Sequence, residues 1–287
     1  MNNNWKIALA IVISCSLLKL TMWNKPLFDG SAAKQIYTAS MAKNLIRSHY
    51  HPLKLYAGLM VNKEGNRLIP EIRVPEAPTY HYLAIAVSKF FSIEMGNAGR
   101  LISILFFAGS ACYFWLLLNL LLPRVSALIS LFLYCFFPVT LIHTKSFQVE
   151  SLMMLCLLGA IYHFLRWYEK DNKADLIYVI AFCSIGFVSK PYILYIYLPF
   201  LWFLFQKYNY RLVKQKEAYL FLIPLIPLSI WTYFSYLENL KLNYADWNLS
   251  DWIFGEIFSY NWYKYLLIMQ LESFTPLLFA TAFFGIF

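Results

Sequence analysis

The chain has 287 residues, of which 60% are hydrophobic, 20% aromatic and only 14% charged. Soluble domains run at about half apolar and about a quarter charged, so this composition excludes an ordinary soluble domain. The net charge of +9 comes from 24 Lys and Arg against 15 Asp and Glu. Those cations lie in loops between apolar runs, which points away from nucleic acid and towards anionic headgroups or a lipid-linked phosphate.

Apolar runs near spanning length recur along the chain and do not alternate, which predicts an all-α polytopic membrane protein with about eight transmembrane helices rather than a β-barrel. The five cysteines, Cys15, Cys112, Cys135, Cys156 and Cys183, lie in apolar runs without a CxxC pair. They read as small buried hydrophobes, not as a disulfide or zinc framework.

The first apolar run covers residues 5–23. Val12-Ile13-Ser14-Cys15 resembles a lipoprotein cleavage box, but the run continues past Cys15, so an uncleaved anchor is expected. Residues 24–79 form the one long polar stretch and are read as an extracytoplasmic loop. It opens with Phe28-Asp29-Gly30 and closes with Val74-Pro75-Glu76-Ala77-Pro78. Within it, Ala33, Ile36, Tyr37, Met41 and Leu45 make an apolar stripe that predicts a surface helix over 31–47. His51-Pro52 ends that helix, and Asn62-Lys63-Glu64-Gly65-Asn66 predicts a turn.

Residues 80–91 are apolar but short for a span, which suits an interfacial helix. Spans follow at 100–122, 125–142, 149–167, 176–188, 192–205, 218–237 and 265–287. If 80–91 does not cross, the basic connections 166–173 (RWYEKDNK) and 207–216 (KYNYRLVKQK) fall in the cytoplasm, as the positive-inside rule requires. Asp29, Glu76, Arg100, Glu150 and Lys190 then share the outer face. Residues 1–206 form the expected catalytic membrane module. Residues 207–287 add helices and an outer loop, 238–264, that mixes Asp246, Asp251 and Glu256 with tryptophans and tyrosines. The apolar run that reaches Phe287 suggests a truncated protein or a minimal version of a larger one.

Asp29 stands between an apolar segment and a helix, so it can cap that helix or act as a general base at the membrane surface. Glu150 enters an apolar helix, where the helix dipole favours a carboxylate; deeper in lipid it would be functional by default. Glu76 is stiffened by flanking prolines. Lys190 and Arg100, at helix ends, can snorkel to headgroups or clamp a phosphate. No histidine spacing resembles a metal site. His49 and His51 could join Glu76 at a divalent ion, and the cofactor requirement is otherwise open. No GxGxxG, P-loop, HExxH or nucleophile elbow is present.

The order of these features resembles the membrane-embedded GT-C glycosyltransferases, above all the lipid A aminoarabinose transferases and protein O-mannosyltransferases. Phe28-Asp29-Gly30 matches the acid that opens their first outer loop. Pro75-Glu76-Ala77-Pro78-Thr79-Tyr80-His81-Tyr82 stands for their acidic-Lys-Pro-Pro segment and Tyr-rich short helix. Ala98-Gly99-Arg100-Leu101, Glu150 and Lys190-Pro191 follow in the same order. Ala77 replaces a lysine, and Glu150 an aspartate, of that pattern.

The resemblance implies an inverting hexosyl or pentosyl transferase in the plasma (inner) membrane. Its donor would be a polyprenyl-phosphate sugar and its acceptor a lipid, glycan or protein hydroxyl. It implies Asp29 as base, with Glu76 and Glu150 orienting substrate. Lys190, Arg100 and Arg73 would bind the donor phosphate. A flippase for lipid-linked sugars and a non-catalytic membrane subunit are the alternatives. Acids at span ends and the lack of an internal repeat favour the enzyme.

Overall fold

In a computed structural model, residues 3–21, 23, 32–54, 56–61, 68–72, 76–241 and 264 are described. The chain divides into two units, Met1–Glu238 and Asn239–Phe287. The first unit contains the helices and the hairpin up to Glu238. Residues 238–241 of the expected aromatic and acidic loop end a helix, and the rest of it up to Tyr263, with residues 265–287, lies outside the described residues.

Helix α1 is Asn3–Leu20 and α2 is Ala32–Arg47. An antiparallel hairpin comes next, β1 Tyr56–Val61 with β2 Leu68–Ile72, in register Val61↔Leu68 and Leu59↔Pro70. This hairpin is the one departure from the expected all-α fold among the described residues. Pro70 inside β2 disguises the strand, because proline normally marks an edge or a break. The predicted turn at 62–66 lies outside the described residues.

The chain continues with α3 Thr79–Phe91, α4 Met95–Leu121, α5 Arg124–Phe136, α6 Pro138–His143, α7 Glu150–Lys170 and α8 Lys173–Ser189. A 3₁₀ turn, Pro191–Ile196, leads into α9 Tyr197–Tyr208. A second, Asn209–Lys214, precedes α10 Lys216–Leu220 and α11 Leu225–Lys241.

Prolines place most of the breaks. Pro138 opens α6 at its first turn, so the run expected at 125–142 is two helices instead of one. Pro191 likewise converts the start of the 192–205 run into a 3₁₀ turn. Three stretches among the described residues are long and apolar enough to cross a membrane: Met95–Leu121, Glu150–Lys170 and Lys216–Glu238. Large apolar side chains face outward along these and neighbouring helices, including Leu105, Val125, Ile177, Leu198, Trp202 and Ile226. That much outward apolar surface is what a lipid-facing wall requires.

Helix α4 is the central post. It packs against α1, α3, α5 and α7, while α7 and α8 form a tight antiparallel pair. Glycines allow the closest approaches. A Cβ at Gly99 would lie 2.2 Å from the Phe147 ring, and one at Gly159 would lie 2.7 Å from Phe182. One apolar cluster, including Leu45, Tyr80, Ile102 and Phe147, joins α2, α3, α4 and the entry to α7. A second, including Phe164, Trp167, Phe187 and Phe200, joins α7, α8 and α9. Four of the five cysteines are buried and the fifth is half-buried, all with free thiols. Cys15 lies inside α1 and donates from Sγ to the Cys135 carbonyl at 2.9 Å.

Candidate active site

The entry to α3, the entry to α7 and the exit from α8 converge at one end of the α7–α8 pair. The backbone of the segment before α3 docks directly on α8: Ala77 N donates to the Val188 carbonyl at 2.7 Å. One turn on, the Thr79 and Ser189 hydroxyls are 2.9 Å apart. Tyr80 ties the same turn to α4 through the Gly99 carbonyl at 2.9 Å and the Ser103 hydroxyl at 2.6 Å. Its ring also meets Phe147, at 5.7 Å between centroids.

This docking brings three of the anticipated residues together. Lys190 Nζ forms an ion pair and hydrogen bond with Glu76 Oε1 and lies 3.5 Å from Glu150 Oε1. Glu76 and Glu150 thus share one ammonium, that of Lys190, 114 positions along the chain from Glu76. Lys34, in the first turns of α2, adds a second cation 3.7 Å from Glu150. Burial works to depress the Lys190 ammonium, but the Glu76 and Glu150 carboxylates outweigh it and hold its pKa above the ordinary lysine value. Burial raises the Glu76 pKa, and the attraction of Lys190 only partly offsets this. Glu76 therefore takes up a proton more readily than an ordinary carboxylate.

Arg100 occupies a different setting. It is 2% exposed and lies inside α4, so it does not snorkel. Its Nε donates to Gln35 Oε1 at 3.3 Å and its guanidinium to the Trp23 carbonyl at 3.3 Å. Gln35 Oε1 also accepts from Phe147 N at 3.2 Å. Arg100 and Gln35 therefore brace the segment that delivers Glu150. Asp29 and Arg73 lie outside the described residues.

Among the described residues no three His, Cys, Asp or Glu side chains gather as a metal would need. The grouping of His49, His51 and Glu76 is not formed; Glu76 is instead committed to Lys190.

Three participants were not legible in the sequence. Lys34 falls within the surface helix predicted over 31–47, off its apolar stripe, where a lysine carries no functional signal. Gln35, fully buried, had no acid or base character to single it out. His81 is 1% exposed, with neither ring nitrogen hydrogen-bonded. Burial first, and then the Lys190 charge, lowers its pKa to about 4. The one signal for His81 was its place in the Pro-Thr-Tyr-His-Tyr string beside Glu76.

Two carboxylates and two cations thus meet at one end of the α7–α8 pair. The sequence model of the dolichyl-phosphate-mannose-protein mannosyltransferase family matches residues 75–234, more than half of the chain, and the protein belongs to that family. Membership makes it a membrane glycosyltransferase of GT-C type that draws on a lipid-linked sugar donor. No curated protein and no solved structure matches the chain. The matched region holds Glu76, Arg100, Glu150 and Lys190; Asp29 and Arg73 precede it.

Proposed function

We propose that the protein transfers a sugar from a polyprenyl-phosphate carrier to a hydroxyl of a lipid, glycan or protein on the extracytoplasmic side of the plasma membrane. The observation that carries this reading is Lys190. Its ammonium is held between two carboxylates at the head of a 3₁₀ turn, and the tail of that turn lines an apolar groove. The groove has a volume of about 230 Å³ and is walled by Leu157, Ile161, Phe164, Tyr195, Pro199 and Phe203. A cation followed by a greasy channel suits a phosphate followed by an isoprenoid.

In this mechanism the anomeric C–O bond to the phosphate breaks as the acceptor oxygen bonds to the same carbon. Charge develops on the sugar as an oxocarbenium-like state. Asp29 takes the acceptor proton, a role worth about 10²–10⁴ in rate. Lys190, with Arg73, stabilises the departing lipid phosphate, while Arg100 braces the entry to α7 from behind. Glu76 and Glu150 orient the sugar and the acceptor, and a single displacement inverts the anomeric carbon.

The outer-face assignment rests on the α7–α8 pair. Glu150 and Lys190 lie at one end, and the basic connection between Arg166 and Lys173 lies at the other. Purified protein given radiolabelled dolichyl phosphate mannose and an envelope extract should move label to acceptor, and Asp29→Asn should abolish transfer while the protein stays folded. Wild-type transfer by Asp29→Asn removes the base from this scheme. Movement of intact donor across liposomes without transfer replaces the enzyme with a flippase.

A further inference from the structure

Buried polar atoms normally find hydrogen-bond partners, and leaving one without costs about 1–3 kcal/mol. Around the Lys190 cluster three residues break this rule. His81 has two bare ring nitrogens at 1% exposure, Gln148 a bare Nε2 at 1%, and Ser151 a bare Oγ at 0%. They are not scattered. Tyr80 and Phe147 touch ring to ring, so His81 and Gln148 each lie one residue beyond a contacting pair. Ser151 follows Glu150, whose carboxylate faces Lys190. Lys190 is also the charge that His81 feels. The unsatisfied atoms thus belong to the two helix entries that carry Glu76 and Glu150.

None of the three is charged at neutral pH, so they do not suit a phosphate as a counter-ion would. A neutral imidazole offers one N–H and one lone pair, an amide offers N–H groups, and a hydroxyl offers both roles. That set matches the hydroxyls of a sugar ring, each of which donates and accepts. We propose that His81, with Gln148 and Ser151, binds the hydroxyl groups of the sugar carried by the donor and so sets its preference for a glycosylated over a bare carrier. The assignment rests on a polyprenyl-phosphate sugar being the donor. It adds a division of labour: Lys190 holds phosphate and these neutral groups hold sugar.

A residue kept unsatisfied for a ligand should trade stability for binding. Replacing it with an apolar residue of similar size should leave the fold as stable or more so.

The test measures binding of dolichyl phosphate mannose and of sugar-free dolichyl phosphate to the full chain in nanodiscs, together with its thermal midpoint. The wild type should prefer the mannosylated carrier. His81→Phe and Ser151→Ala should each cut that preference by about three- to tenfold, the worth of one neutral hydrogen bond. Affinity for the bare carrier and the thermal midpoint should hold or rise. His81→Gln, which keeps a donor and an acceptor, should recover part of the preference.

If His81→Phe fails to fold, Ser151→Ala carries the same test. Unchanged preference in the folded variants overturns the sugar role, as does equal weakening for both carriers. A wild type that binds both carriers alike overturns it too while leaving the donor reading in place. A wild type that binds neither removes both.

Discussion

His81 ties the site's chemistry to a measurable pH response. Its folded-state pKa of about 4 lies below the ordinary 6.5, first because burial penalises the imidazolium and then because Lys190 repels it. Between those values the unfolded chain binds a proton that the folded chain refuses. The stability that neutral His81 allows is therefore complete above pH 6.5 and is lost as pH falls through about 4. The full swing is about 3 kcal/mol at most. Thermal midpoints in detergent should fall across that window for the wild type, and His81→Phe should flatten the fall. An identical slope in the variant would mean that another group controls it. Glu76 moves the other way: its raised pKa favours the folded, protonated form as pH drops. Removing His81 should therefore expose a shallower or inverted slope.

At the scale of elements, the entry to α7 is set by how closely α4 can approach it. Gly99 leaves room for the Phe147 ring, and a methyl group there would overlap it at 2.2 Å. Gly99→Ala should cost about 1–3 kcal/mol through overpacking. It should also lower transfer, because Phe147 precedes Glu150 by three residues and shares Gln35 with Arg100. A thermal midpoint and transfer rate equal to wild type would show that the contact is slack.

Much of this element map could be read from sequence. Pro191 announced a break, whereas the one at Pro138 was passed over as a continuous run, and helical periodicity announced α2, which spans Ala32–Arg47 against an expected 31–47. Glu150 and Lys190 stood out because charged residues at the edges of apolar runs are costly without a purpose, and Glu76 because prolines flank it. What could not be read was pairing. Nothing in a one-dimensional string says that Lys34 meets Glu150, or that His81 is buried without partners. The hairpin escaped because Pro70 and Gly58 interrupt the usual strand signal.

For the whole molecule, function depends on which ends of the helices share a compartment. The cationic end of the α7–α8 pair carries its own anchors. Asp175, 2% exposed, bonds His163 at 2.6 Å and Asn172 at 2.9 Å and lies 3.4 Å from Arg166; Lys207 reaches Asp171 at 2.6 Å. These contacts tie down the basic end, as those of Lys190 tie down the other. Cysteines introduced at the exposed positions Lys54, Glu94 and Asp171 report sidedness through a membrane-impermeant thiol reagent. On the proposed topology, in which α3 between them does not cross, Lys54→Cys and Glu94→Cys should label from outside, and Asp171→Cys only after the membrane is opened. Labelling of positions 54 and 94 from opposite sides would make α3 a span and turn the later helices over.

Lys34, Lys190, Glu76 and Glu150 also add up to electrical neutrality. Such a quartet exerts little pull on a distant phosphate, so an incoming donor is not drawn in by these four groups. If its phosphate binds Lys190 as proposed, it must displace a carboxylate that Lys190 already holds. In the proposed mechanism Glu76, whose burial favours its protonated form, would give up Lys190 to the incoming phosphate, so that admission of the lipid would be a change of partner accompanied by uptake of a proton.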